Sequence, residues 1–234
     1  MKHLKSHCRI LGLAMCFSLF ATTAAWAKFN PRNPTLPIGP MTTGGPRGCA
    51  AGSPLAFTAL VPVNIIAEIT ADQAVVAWYS PDRDPYRVTL KLYEAVPPGT
   101  AQTRWKLVKQ VAEFENKAGM KFYRLPAELL QPGKVYTWQA VLECVPGYPS
   151  GDAIAEAEVQ VIAKPHEPKE NARSIEYSLW YSALAEAEHS KELQLKLLRD
   201  LITYEELHSP HSPAPKQGLK RSEMLKKILE TLSR

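Results

Sequence analysis

Residues 129–144, LLQPGKVYTWQAVLEC, constrain the chain more than any other stretch. Pro132 and Gly133 close a turn, and behind them Tyr136, Trp138, Ala140, Leu142 and Cys144 alternate with polar or edge-tolerant residues. Such period-two alternation marks a half-buried β-strand, because successive side chains leave opposite faces of the backbone. The aromatic face of this strand turns into a core. The spacing of Leu130, Pro132, Gly133 and Tyr136 predicts a phenol ring packed inward, its hydroxyl bonded to backbone near the turn. An ordinary turn followed by an ordinary strand is the alternative.

Further strand candidates recur at short intervals, over residues 57–62, 74–79, 86–94, 105–114, 120–125, 135–144 and 154–162. In the third, Tyr86, Val88, Leu90 and Leu92 take one face and Arg87, Thr89 and Lys91 the other; in the fourth, Trp105, Leu107 and Val111 read as the apolar face. Pro97-Pro98-Gly99, Pro132-Gly133, Pro146-Gly147, Pro149 and Gly151 punctuate the runs. Short strands with no helix between them predict a two-sheet antiparallel sandwich over residues 48–164. The corner spacing at Tyr136 is that of immunoglobulin-like and fibronectin-type sandwiches. Trp78 and Trp138 read as core anchors, each large enough to need no further role.

Past Lys164-Pro165 the period changes to that of a helix, with Tyr177, Trp180, Tyr181, Leu184 and Ala187 recurring on one face. Ser190 is placed to cap a second helix, where Glu192 suits the positive end of the dipole and Leu193, Leu197, Leu201 and Tyr204 form the stripe. Residues 165–207 therefore predict a helical hairpin, 208–217 a proline-broken linker, and 218–234 a basic amphipathic helix. The last carries Leu225, Ile228, Leu229 and Leu232 opposite Lys220, Lys226 and Lys227. The whole reads as mainly β with an α tail. These stripes are wider than a lone hairpin can bury, so Trp180, Tyr181, Tyr177, Leu225, Ile228 and Leu229 are candidate interaction residues. Either the chain's own sheet or a partner must cover them. Adsorption of the final helix to an anionic membrane surface is a second option, which Glu223 and Glu230 weaken.

The first 27 residues have the form of a secretory signal. Lys2, Lys5 and Arg9 precede an apolar run, and Ala25-Trp26-Ala27 puts small residues at −3 and −1 of a cleavage before Lys28. Leu13-Ala14-Met15-Cys16 is a poor lipobox, since Met15 is bulky and the apolar run continues beyond Cys16. Residues 28–47, punctuated by Pro31, Pro34, Pro37, Pro40 and Pro46, predict an extended arm. Of the 28 basic and 23 acidic side chains, the signal holds three bases and no acid, so the remainder is close to neutral. That balance gives no electrostatic case for a nucleic-acid partner. Cleavage would leave Cys49 and Cys144, a pair expected to be bridged in an oxidising compartment, with two separate buried thiols as the alternative. In the chain-entropy picture, closing that loop would contribute about 4–5 kcal/mol.

Arg47-Gly48-Cys49, then Thr58-Ala59-Leu60-Val61-Pro62, then Trp78-Tyr79-Ser80-Pro81 follow in an order that resembles the family called domain of unknown function 928. Pro132-Gly133-Lys134-Val135-Tyr136-Thr137-Trp138 with Cys144, and Leu179-Trp180-Tyr181-Ser182-Ala183-Leu184, resemble its later signatures. The likeness spans roughly residues 47–205 and implies an exported, chiefly cyanobacterial, envelope protein with a β-domain and a helical tail. It implies no reaction. Tails in the family often run on as repeat-like helices, whereas this one meets a break at Pro210, which puts a repeat-type groove in doubt.

Catalytic groups are sparse. His166, His189, His208 and His211 all lie beyond the sandwich, and no nucleophile elbow, zinc-protease helix or phosphate loop is present. His208 and His211 do not make a closed metal site, which needs four ligands in fixed geometry. Asp82 and Asp84 in PDRDP suit a turn better than acid–base work or calcium. No catalytic residue, cofactor or metal ligand is assigned. Two function classes remain: a non-catalytic binding or adaptor module that contacts another envelope protein through its tail and loops, and a secreted hydrolase acting on envelope polymer through carboxylates that meet only in the fold.

Overall fold

The structure, a computed structural model, describes residue 49 and residues 55–62, 65–96, 105–163, 180–208 and 215–234. The expected signal, the proline-rich arm and Tyr177 lie outside the described residues.

Two sheets make up the β-domain. One has the strand order β1 (Thr58–Ala59), β3 (Val75–Ser80), β6 (Gly119–Arg124); the other runs β2 (Ala67–Thr70), β8 (Ala153–Ile162), β7 (Val135–Glu143), β4 (Arg87–Ala95), β5 (Trp105–Glu115). Every pairing is antiparallel except β2 with β8, which is parallel, so the chain crosses between sheets after β1. A three-stranded sheet facing a five-stranded one in this order is an immunoglobulin-like β-sandwich. The alternation read in β4 and β7 places Val88, Leu90, Leu92, Trp138, Ala140 and Leu142 at complete burial. Trp78 and Trp138 meet across the core with ring centroids 6.4 Å apart.

Three readings of the sequence need correction. Strand β2 escaped notice because four residues, AEIT, are too few to show a period. In β5 the expected face holds only in part: Val111 packs against the core, but Leu107 is 51 % exposed, and Phe114 packs inward as well. The β4–β5 register skips Val111 and Val108, and each bulge breaks the alternation. In α2 (Lys191–His208) the buried stripe is Leu198, Leu201, Ile202, Tyr204 and Glu205, about a residue round from the expected one; Leu193 is exposed. Ser190 does cap that helix, its Oγ accepting from the Leu193 N–H at 3.3 Å.

Helix α1 (Trp180–Ala187) packs on β2, β3 and the turn between them, and α2 packs on both α1 and α3 (Pro215–Ser233). The final helix thus starts three residues earlier than the sequence suggests. It also does not stand apart, because Leu225 and Ile228 belong to the same buried cluster as Trp78 and Trp138. Among the described residues no helix is long and apolar enough to cross a membrane.

Candidate functional site

Those residues singled out in the tail that the structure describes are buried or partly buried. Trp180 is 4 % and Tyr181 1 % exposed; the Trp180 indole donates to the Leu60 carbonyl at 3.0 Å, and the Tyr181 hydroxyl accepts from Trp138 Nε1 at 3.2 Å. Burial pushes the Tyr181 phenol far above its ordinary value. Leu225 and Ile228 are fully buried and Leu229 partly so. The apolar excess that suggested a partner is taken up by the chain itself, and these side chains are not an available surface.

At the turn, the Tyr136 hydroxyl accepts the Gln131 N–H at 3.1 Å and the ring is 1 % exposed. Gly133 sits at φ +85°, and its N–H donates to the Val161 carbonyl at 2.8 Å, tying the turn that Pro132 opens to β8. Cys49 and Cys144 form a disulfide across 95 residues. Asp82 works beside it: Oδ2 accepts the Cys49 N–H at 3.2 Å, and its carbonyl accepts Asn116 Nδ2 at 2.8 Å. His208 stacks on Tyr204 and bonds the Tyr204 carbonyl. His166 and His211 lie outside the described residues. Two carboxyls are raised, chiefly by burial: Asp152, which the charge of Glu143 raises further, and Asp200, which Lys196 and Arg199 hold back. They lie on separate elements, and Glu143 is committed to Arg87 through contacts of 2.8 and 2.6 Å. Among the described residues no group of three His, Cys, Asp or Glu side chains is placed to hold a metal.

What the sequence did not disclose is a pocket of about 290 Å³ where the β5–β6 connection crosses from one sheet to the other. Its aromatic wall is Trp78, Phe114, Phe122 and Tyr123. Phe114 stacks between two of these, 5.9 Å from Trp78 and 6.4 Å from Tyr123, with interplanar angles of 24° and 14°. The Tyr123 hydroxyl donates to the Val111 carbonyl at 3.1 Å, fastening β6 to β5. The connection itself is pinned: the Asn116 N–H donates to the Tyr86 carbonyl at 2.7 Å, and Gly119, at φ +102°, lets the chain turn. The pocket is therefore built on fixed elements.

Three charges border it: Lys117, Lys121 and Glu115. Lys121 lies directly across from Trp78 in the β3–β6 register, so both side chains leave the same face of the sheet. Burial, and then the charge of Lys117, lower the Lys121 pKa. Neither ammonium has an ion-pair partner among the described residues. Trp78 is 1 % exposed, and its Nε1–H has no acceptor among the described residues. A buried donor left unmade costs about 1–3 kcal/mol, so it needs an explanation. The readable signal was a lysine at position 121, where the alternation Gly119, Lys121, Tyr123 demands an inward side chain.

Fold and pocket together define a disulfide-tied sandwich, buttressed among the described residues by three helices, with an aromatic, cationic recess where β5 crosses to β6. The sequence profile of the family described as Domain of Unknown Function (DUF928) matches residues 42–195. The chain belongs to that family. Comparison with curated proteins finds no match. Among solved structures, the third fibronectin III domain of the human KIAA0343 protein aligns at 13 % identity and a TM-score of 0.27, over 53 % of this chain and 97 % of that domain.

Proposed function

We propose that the protein is an exported, non-catalytic binding module of the cell envelope, and that its contact lies at the β5–β6 flank of the sandwich. The single observation that carries this is the recess at that connection, where aromatic side chains and two ammonium groups without ion-pair partners among the described residues border one space. Export after Ala27 draws support from the leader-like sequence and from the Cys49–Cys144 bridge, a bond kept in oxidising compartments. Burial of Trp180, Tyr181, Leu225 and Ile228 supports assigning the helices to scaffold and not to contact. Contact with another envelope component fits this arrangement better than adsorption to a membrane, because the apolar residues needed for insertion are already used.

The test compares retention of the mature chain on its native envelope fraction with that of two double variants of confirmed fold. Lys117→Glu with Lys121→Glu should lose at least about tenfold in retention, the scale of losing charge-assisted contacts. Lys220→Glu with Lys227→Glu, both exposed on α3, should keep it. The opposite pattern would move the contact to the helical face.

A further inference from the structure

Resting on the reading of the β5–β6 recess as the contact site, we propose that it takes a ring bearing a single carboxylate, the ring lying against the aromatic wall and the carboxylate against Lys121 and Lys117. Phe114 is covered on both faces by Trp78 and Tyr123, which leaves the part-exposed Phe122 and Tyr123 rings of the wall to meet a planar or saturated ring, a better match than a flexible chain. The charge count decides the rest. Two ammonium groups and one carboxylate, Glu115, leave the rim with one net positive charge, which a monoanion neutralises and a dianion overshoots. Partial burial and the like charge of Lys117 both disfavour the Lys121 ammonium, and an anion placed there relieves both penalties. The Trp78 indole N–H lies fully buried behind the same wall, so its signal reports on the pocket without itself meeting the ligand. The chemistry is common to the uronic-acid units of acidic polysaccharides and to small cyclic acids.

The experiment is an NMR titration of the exported chain, following the Trp78 indole N–H signal after through-bond assignment. The probes are glucuronate and benzoate, each paired with its neutral counterpart, glucose and benzyl alcohol. At least one acid should shift that signal at concentrations up to about 10 mM, binding about tenfold more tightly than its neutral partner. Raised salt and Lys121→Gln should each weaken it, while Lys109→Gln, exposed on β5 and outside the pocket, should not. Response to glucuronate points to an acidic polymer, and response to benzoate alone to a small acid. Neutral probes binding as tightly as the acids, or no shift at Trp78 from any probe, would overturn the proposal. Failure here with envelope retention still lost in the Lys117→Glu, Lys121→Glu variant leaves the binding-module reading standing and removes only the ligand class. Acid binding with retention unchanged does the reverse.

Discussion

Tyr136 and Lys121 show how differently single residues give themselves away. Tyr136 is announced by the turn before it, since Pro132 and Gly133 fix where a hydroxyl three residues on can reach. Its bond to the Gln131 N–H is one neutral hydrogen bond, so Tyr136→Phe should cost about 0.5–1.5 kcal/mol in denaturant unfolding without changing ligand binding. Lys121 was hidden because a lysine on a strand is ordinarily read as solvent-facing. Burial and Lys117 lower its pKa below the ordinary 10.5, so between the lowered value and 10.5 the unfolded chain binds more protons than the folded one. Stability contributed by this residue therefore rises with pH across that window, and its penalty is fully present below it. Lys121→Gln should remove that dependence and raise stability at neutral pH by about 0.5 kcal/mol at most, the screened scale for a part-exposed charge. Thermal unfolding at pH 7 and pH 10 checks it; a variant less stable than the parent would show that the lysine is a structural partner and not a strained one.

At the scale of elements, strands with uninterrupted alternation were legible and irregular ones were not. Strands β4 and β7 match their expected faces residue by residue, whereas the bulges at Val111 and Val108 turn β5 over twice and expose Leu107. The free edges of β5 and β6 are guarded by Lys106, Lys109 and Lys121, so the pocket lysine also discourages edge-to-edge pairing. Helix α3 holds the element that sequence pattern missed altogether. Its Arg221, 5 % exposed, pairs with buried Glu205 at 3.2 Å and donates to Thr58 Oγ1, the Ala59 carbonyl and the Val61 carbonyl, each at 2.9 Å. The basic face read from the sequence was Lys220, Lys226 and Lys227, and nothing singled out Arg221, because periodicity cannot tell a cation that finds four acceptors from one that finds water. Arg221→Met should cost about 3–5 kcal/mol, as removal of one member of a buried pair does. Adding Glu205→Leu should recover part of that loss in a double-mutant cycle; strictly additive losses would deny the coupling.

For the whole molecule, the consequence is that sandwich and helices share one interior. Architecture was legible because it depends on period and punctuation. The site was not, because it depends on which side chains two sheets bring together where β5 crosses to β6. Deleting residues 209–234 should not yield a trimmed but intact adaptor. It removes Leu225 and Ile228, each worth about 1.5–3 kcal/mol of burial, together with Arg221. A marked fall in Tm is expected, with loss of near-UV signal from Trp180 and Tyr181; an unchanged Tm would mean that α3 is dispensable. The account's central claim, that the β5–β6 flank and not the helical tail meets the partner, is tested most directly by site-specific photo-crosslinking in the native envelope. A benzophenone side chain at exposed position 117, beside the pocket, should yield crosslinked product, and one at exposed position 220 on α3 should yield none. Crosslinking from 220 with silence at 117 would contradict it.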